Sequence, residues 1–158
     1  MASAEQKNEQ FIRAMLQKID RDAEYALQAA GIRMLETARE RTPRAGQKYA
    51  TGALGNSLRI SNPDRFTVQL SAGVPYAIYM EYGTGPKGKA TGAYPVRDME
   101  GKEVHQPEIH YHGGFYIRTD GTKVNTQGMD AHPYIRPALQ AGVNELQKAL
   151  NAIFGKKQ

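Results

Sequence analysis

Cysteine and tryptophan are absent from the 158 residues, and only four phenylalanines occur. Without a thiol there can be no disulfide, iron–sulfur cluster, thiolate zinc site or cysteine nucleophile. No run comes near the roughly 18 apolar residues of a membrane span, and Met1–Gln10 lacks the basic-then-apolar order of a signal peptide. The expectation is a protein made in a reducing cytoplasm, with no membrane partner. Serine is scarce as well: Ser3, Ser57, Ser61 and Ser71 are all there are, and none sits in the glycine-flanked elbow of a hydrolase.

What is present suits one domain, 1–158: 40% of the residues are hydrophobic, and a chain of this size buries roughly 70% of its unfolded surface. The net charge is +5, yet only Pro43–Asn62 is free of acids while carrying Arg44, Lys48 and Arg59. Such a segment either faces a phosphate backbone or is an ordinary solvated loop.

Apolar residues at Phe11, Met15, Ile19, Ala23, Ala26, Ala30, Met34 and Ala38, with a second row at Ile12, Leu16, Leu27 and Leu35, predict one amphipathic helix over Ala4–Glu40. At 1.5 Å per residue it would be roughly 54 Å long, against a radius of gyration of about 15 Å for a domain of this size. Part of it must protrude or bend, with Gly31 the expected weak point, and Thr42-Pro43 ends the helix. Ser57–Ser61, the turn Asn62-Pro63-Asp64 and the alternating Phe66–Ala72 then predict a hairpin with one buried face. Tyr76–Tyr82 fits both an alternating strand and a three-residue period; a short helical turn is the preferred reading.

Between Thr84 and Gly128 lie eight of the 16 glycines, three of the four histidines and no leucine. This stretch cannot supply core, and is read as a β-hairpin-like insertion arm over 84–131. Phe115–Asn125 around Asp120-Gly121 is its clearest hairpin, and Met99–Lys102 suggests a second turn. After His132-Pro133-Tyr134-Ile135-Arg136-Pro137, with Pro137 in the first helical turn, Leu139, Val143, Leu146, Leu150 and Ile153 predict a C-terminal helix closed at Gly155 and packed on the sheet. The fold class is therefore α+β: long N-terminal (1–42) and C-terminal (132–158) helices packed on a small antiparallel sheet in a loop-and-hairpin core (43–83), plus the arm.

Motifs for chemistry fail on context. Gly83-Thr84-Gly85-Pro86-Lys87-Gly88 has dinucleotide-fingerprint spacing, and Gly88-Lys89 ends like a P-loop. However, Ala90 stands where a magnesium-binding hydroxyl is needed, and Tyr94-Pro95 follows where a helix should begin. His105, Glu108, His110 and His112 offer metal-ligand chemistry but equally read as exposed loop residues. Glu81, between tyrosines, is expected to hold a paired structural role, with an arginine as candidate partner. No catalytic residue, cofactor or metal is assigned. Nine tyrosines suit contact surfaces better than an enzyme pocket, and Tyr76, Tyr79, Tyr82 and Tyr134 are the candidate subunit-interface residues.

Three ordered segments carry a resemblance: Thr42-Pro43 with Thr51-Gly52-Ala53-Leu54 and Ser57-Leu58; Pro75-Tyr76-Ala77 with Tyr79 and Glu81-Tyr82-Gly83-Thr84; and His132–Leu139. Following an N-terminal helix, the set resembles the small tail-component family of long-tailed bacteriophages, neck or tail-completion proteins, over about Ala14–Leu150 apart from the insertion. The resemblance implies a virion structural protein without enzymatic activity, assembled as a homo-oligomeric, hexameric ring around the DNA channel at the head-to-tail junction. Its implied partners are connector or stopper proteins and the tail tube or tail terminator. Arg44, Lys48 and Arg59 would face the DNA. The alternative within this class is a tail terminator ring capping the tube; from another class, a nucleic-acid-binding module. The insertion is longer than the resemblance leads one to expect.

Overall fold

The computed structural model describes residues 3–46, 50–84, 87, 96–97, 103–104, 115–117, 120–125 and 127–155. Among these, α1 spans Ala4–Arg41, α2 Ala53–Ser57, β1 Leu58–Ser61, β2 Gln69–Ala72, α3 Ala77–Tyr82, β3 Val96–Arg97, β4 Glu103–Val104, β5 Phe115–Ile117, β6 Lys123–Asn125 and α4 Ile135–Phe154. The class is α+β, with two long helices and small two-stranded antiparallel sheets. The chain, expected as one domain, divides into two compact units: Met1–Glu40, Leu58–Ser71 and Arg136–Gln158 form the first, Arg41–Ser57 and Ala72–Ile135 the second.

In the first unit, α1 runs unbroken through Gly31, so the expected weak point is a packing position. A Cβ on Gly31 would lie 2.7 Å from Val68 Cγ1, closer than carbon atoms approach one another. Glycine here admits the hairpin segment against the helix. The helix buries only its C-terminal half, through Ala26, Ala30, Gly31, Met34, Thr37 and Ala38, and every residue from 4 to 19 is exposed. The overlong helix thus protrudes.

The apolar row of α4 is only partly covered: Leu146, Leu150 and Ile153 are half-buried, and its first two members face outward. Leu139 and Val143 are exposed, while Ala138 and Gly142 are buried. A Cβ on Gly142 would meet Met34 Cγ at 2.3 Å and the Ala30 carbonyl oxygen at 3.2 Å. Close backbone approach therefore chose the contact face of α4, and small residues permit it where leucine does not.

The hairpin begins later than alternation predicts. β1 and β2 pair, but Phe66 lies outside β2 and is exposed. Asp64 explains the difference: its Oδ1 accepts from the Phe66 amide at 2.9 Å and its carbonyl from the Thr67 amide at 3.5 Å, an Asx-type turn that competes with the ladder. The guanidinium of Arg65 stacks over the Phe66 ring, 5.4 Å from its centre, and binds Asp20 and Glu24, one turn apart on α1. A hydrogen bond from the Thr67 side chain, then the one from the Phe66 amide, hold the Asp64 carboxyl below its ordinary value, and the bond to Glu24 with the charges of Glu24 and Asp20 holds the Arg65 guanidinium above its own.

In the second unit, α2 arises in a stretch read as loop. Ser57 Oγ donates to the Leu54 carbonyl at 2.8 Å and accepts from the Gly73 amide at 3.2 Å, tying the end of the short helix to the chain after β2. Both turns expected in the insertion are flanked by antiparallel strands: Val96 pairs Val104, and Phe115 pairs Asn125. At the second turn Gly121 has φ of 80°, and Asp120 Oδ1 accepts from the Thr122 amide at 2.9 Å. Residues 98–102 lie outside the described residues.

Candidate assembly site

Within the second unit, the short helix α3 organises the motif segments. Gly83, at φ 71°, ends it and donates to the Tyr79 carbonyl, in a left-handed conformation that glycine adopts without steric cost. Thr84 then exchanges two backbone bonds with Met129, at 2.9 and 3.1 Å. The insertion therefore leaves and returns at one bridged base.

Beyond that base, the chain returns along α3. The His132 amide donates to the Met80 carbonyl at 2.7 Å. Glu81 Oε2 accepts from the amides of Tyr134 at 2.7 Å and Ile135 at 2.8 Å, so this buried carboxylate caps the first turn of α4. An anion there satisfies amides that have no partner within the helix and meets the positive end of its dipole. The structural role expected of Glu81 is present, with main-chain amides as its partners.

Tyr134 is 2% exposed and its hydroxyl donates to the Ala77 carbonyl at 3.3 Å. As an interface candidate it is corrected: its ring is core and joins the His132–Ile135 segment to α3. Burial, then the negative charge of Glu81, push its pKa up to about 12; burial and Glu81 raise Tyr82 as well. Tyr82 is half-buried, whereas Tyr76 and Tyr79 are 41% and 42% exposed. Two of the four tyrosines thus offer their rings to the surface, with exposed Ile78 on the same helix.

The raised pKa has a measurable consequence. An unfolded tyrosine titrates near 10.0 and folded Tyr134 near 12, so its protonated form contributes stability that is complete below pH 10 and is lost as pH rises toward 12. Denaturant midpoints measured across that window are expected to fall less steeply in Tyr134→Phe than in the parent. Identical slopes would remove Tyr134 as the group responsible.

Beside α3 lies a half-open cleft of about 360 Å³, lined among others by Arg41, Pro43, Thr51, Leu54, Tyr76, Met80, Met129 and His132. Residues from all three motif segments line this one hollow. Met80, Met129 and Arg41 were not among the sequence candidates: methionine carries no chemical signature, and Arg41 reads as an ordinary helix-terminal cation. The walls offer apolar contact and the Arg41 guanidinium, a combination suited to holding a chain segment.

Arg44, in the second unit, and Arg59, on β1 in the first, are exposed, and Arg59 donates to the Leu58 carbonyl at 2.8 Å. Lys48 lies outside the described residues, as do His105, Glu108, His110, His112 and Lys89-Ala90. Among the described residues no group of three or more histidines and acids is placed to hold a metal, and no helix is long and apolar enough to cross a membrane.

Comparison with known proteins covers the first two of the motif segments as far as Gly83. Residues 6–83 match the family described as Bacteriophage HK97-gp10, putative tail-component. The match takes in α1, the hairpin and α3 and stops at Gly83, short of the His132–Ile135 segment that bonds to α3. No curated protein and no solved structure matches the chain. Residues 6–83, from the long helix to the glycine that ends α3, are thus similar to the HK97-gp10-like family of phage tail components.

Proposed function

We propose that this chain is a ring-forming neck or tail-completion protein of the virion, working at the head-to-tail junction without catalysing a reaction. The observation that carries the reading is the family match, supported by surfaces that a solitary protein has little use for: the exposed α3 tyrosines beside the motif-lined cleft, and the protruding half of α1. On this reading, further copies occupy these surfaces in a hexameric ring. Connector or stopper proteins and the tail tube or terminator contact its two faces. Arg44, Lys48 and Arg59 approach the DNA that passes through.

Electron microscopy of particles produced without this chain tests the role. Filled heads and finished but unattached tails are the expected products. Normally joined particles would refute it, and tails of irregular length would identify a terminator ring instead.

A further inference from the structure

The uncovered part of α1 presents Phe11, Ile12, Met15, Leu16 and Ile19, exposed by 40 to 64%. At 100° per residue these five fall on one face, and that face runs on into Ala26, Ala30 and Met34, which are buried. The helix thus runs about 24 Å past the body that covers it, and its apolar stripe occupies about 13 Å of that length. An isolated helix of this length is marginal in water, because helices draw most of their stability from packing.

A second uncovered strip lies in the same unit, on α4, where Leu139, Val143 and Phe154 are exposed. Its outer flank carries Gln140, Asn144, Gln147 and Asn151, with the exposed Arg136 at its N-terminal end, a largely uncharged row that attracts acids only at that end. Each copy therefore owns one projecting apolar stripe and one receiving strip.

We infer that the α1 arm of one copy docks on the α4 strip of the next, so that one of the contacts building the ring is a repeated head-to-tail contact between these helices. The inference rests on the ring-forming reading and names its contact. The arm stripe amounts to on the order of 500 Å² of apolar surface, near the upper end of what a monomer leaves in one patch. With the α4 strip and a polar rim, the contact reaches the roughly 1,000 Å² that a specific interface requires. Arm-on-arm pairing fits less well. It is isologous, so it stops at dimers, whereas a head-to-tail contact repeats until it closes. It also leaves Leu139, Val143 and Phe154 bare in every copy, and aligned in parallel it sets Asp22 against Asp22.

The absence of cysteine makes the test clean. Met15→Cys and Val143→Cys are introduced separately and together, and the full chain is oxidised both free at high concentration and in assembled particles. The double variant is expected to give a ladder of covalent multimers, reduced at least tenfold in either single variant. Ile12→Asp with Leu16→Asp should abolish the ladder in the double-cysteine chain without lowering its melting temperature, since neither side chain is covered by its own chain. Covalent dimers from Met15→Cys alone, or no ladder in assembled particles, would overturn the inference. Unjoined heads and tails in the deletion, together with absent crosslinks, would overturn the contact and leave the neck role standing. Normally joined particles would remove the neck role itself.

Discussion

Replacing Glu81 with alanine is expected to be the most damaging single truncation in the second unit, lowering stability by about 3 kcal/mol. Its carboxylate is 5% exposed and takes the amides of Tyr134 and Ile135 at 2.7 and 2.8 Å. A hydrogen bond to a charged group is worth roughly 1.5–3 kcal/mol, and a buried donor left without a partner costs a comparable amount. For a chain of this size that corresponds to a melting temperature lower by about 6–12 °C. Glu81→Gln retains an acceptor oxygen but gives up the charge at the helix N-terminus, a loss of about 1 kcal/mol. Thermal unfolding should therefore rank parent, Gln and Ala in that order. An alanine variant that melts with the parent would show that the cap is immaterial to the fold.

Gly142→Leu is expected to have an effect of similar size in the first unit, about 3 kcal/mol or more, through steric overlap. Even the Cβ would lie 2.3 Å from Met34 Cγ and 3.2 Å from the Ala30 carbonyl oxygen. A leucine must push α1 and α4 apart, and overpacking a close-packed contact costs roughly 1–3 kcal/mol, occasionally more. Gly142→Ala separates this effect from helix propensity, which by itself favours alanine by about 1 kcal/mol. If the contact is as tight as the distances indicate, alanine destabilises despite that gain, and Met34→Ala relieves part of the cost. A double-mutant cycle in chemical denaturation measures the relief; additive effects would mean that the two positions do not touch.

Much of the secondary structure was legible in the residues because its causes are local. A three-to-four spacing from Phe11 to Ala38 and the stop at Thr42-Pro43 specify α1 to within a residue of its observed end. Pro137 marks the first turn of α4, and Asp120-Gly121 the turn between β5 and β6. Where local chemistry competed with itself, reading failed. Alternation from Phe66 to Ala72 argued for a strand, but the Asp64 side chain had a nearer amide to bind, and β2 starts only at Gln69.

The candidate site divides along the same line. The tyrosines, Glu81 and the His132–Pro137 run stand out by composition and order alone. Their exposure does not, because Tyr134 and Tyr79 are chemically identical and differ only in what the fold lays over them. Sequence by itself determined a long amphipathic helix, a second helix after Pro133, a glycine-rich insertion without leucine, and the tail-component resemblance. Tertiary structure alone decided that Gly31 and Gly142 are contact points, that Leu139 and Val143 face outward, that Tyr134 is core, and that Glu81 caps a helix more than fifty residues away. Periodicity says which side chains share a face; whether that face is covered depends on how closely another backbone can approach, and that distance is set by atoms far along the chain.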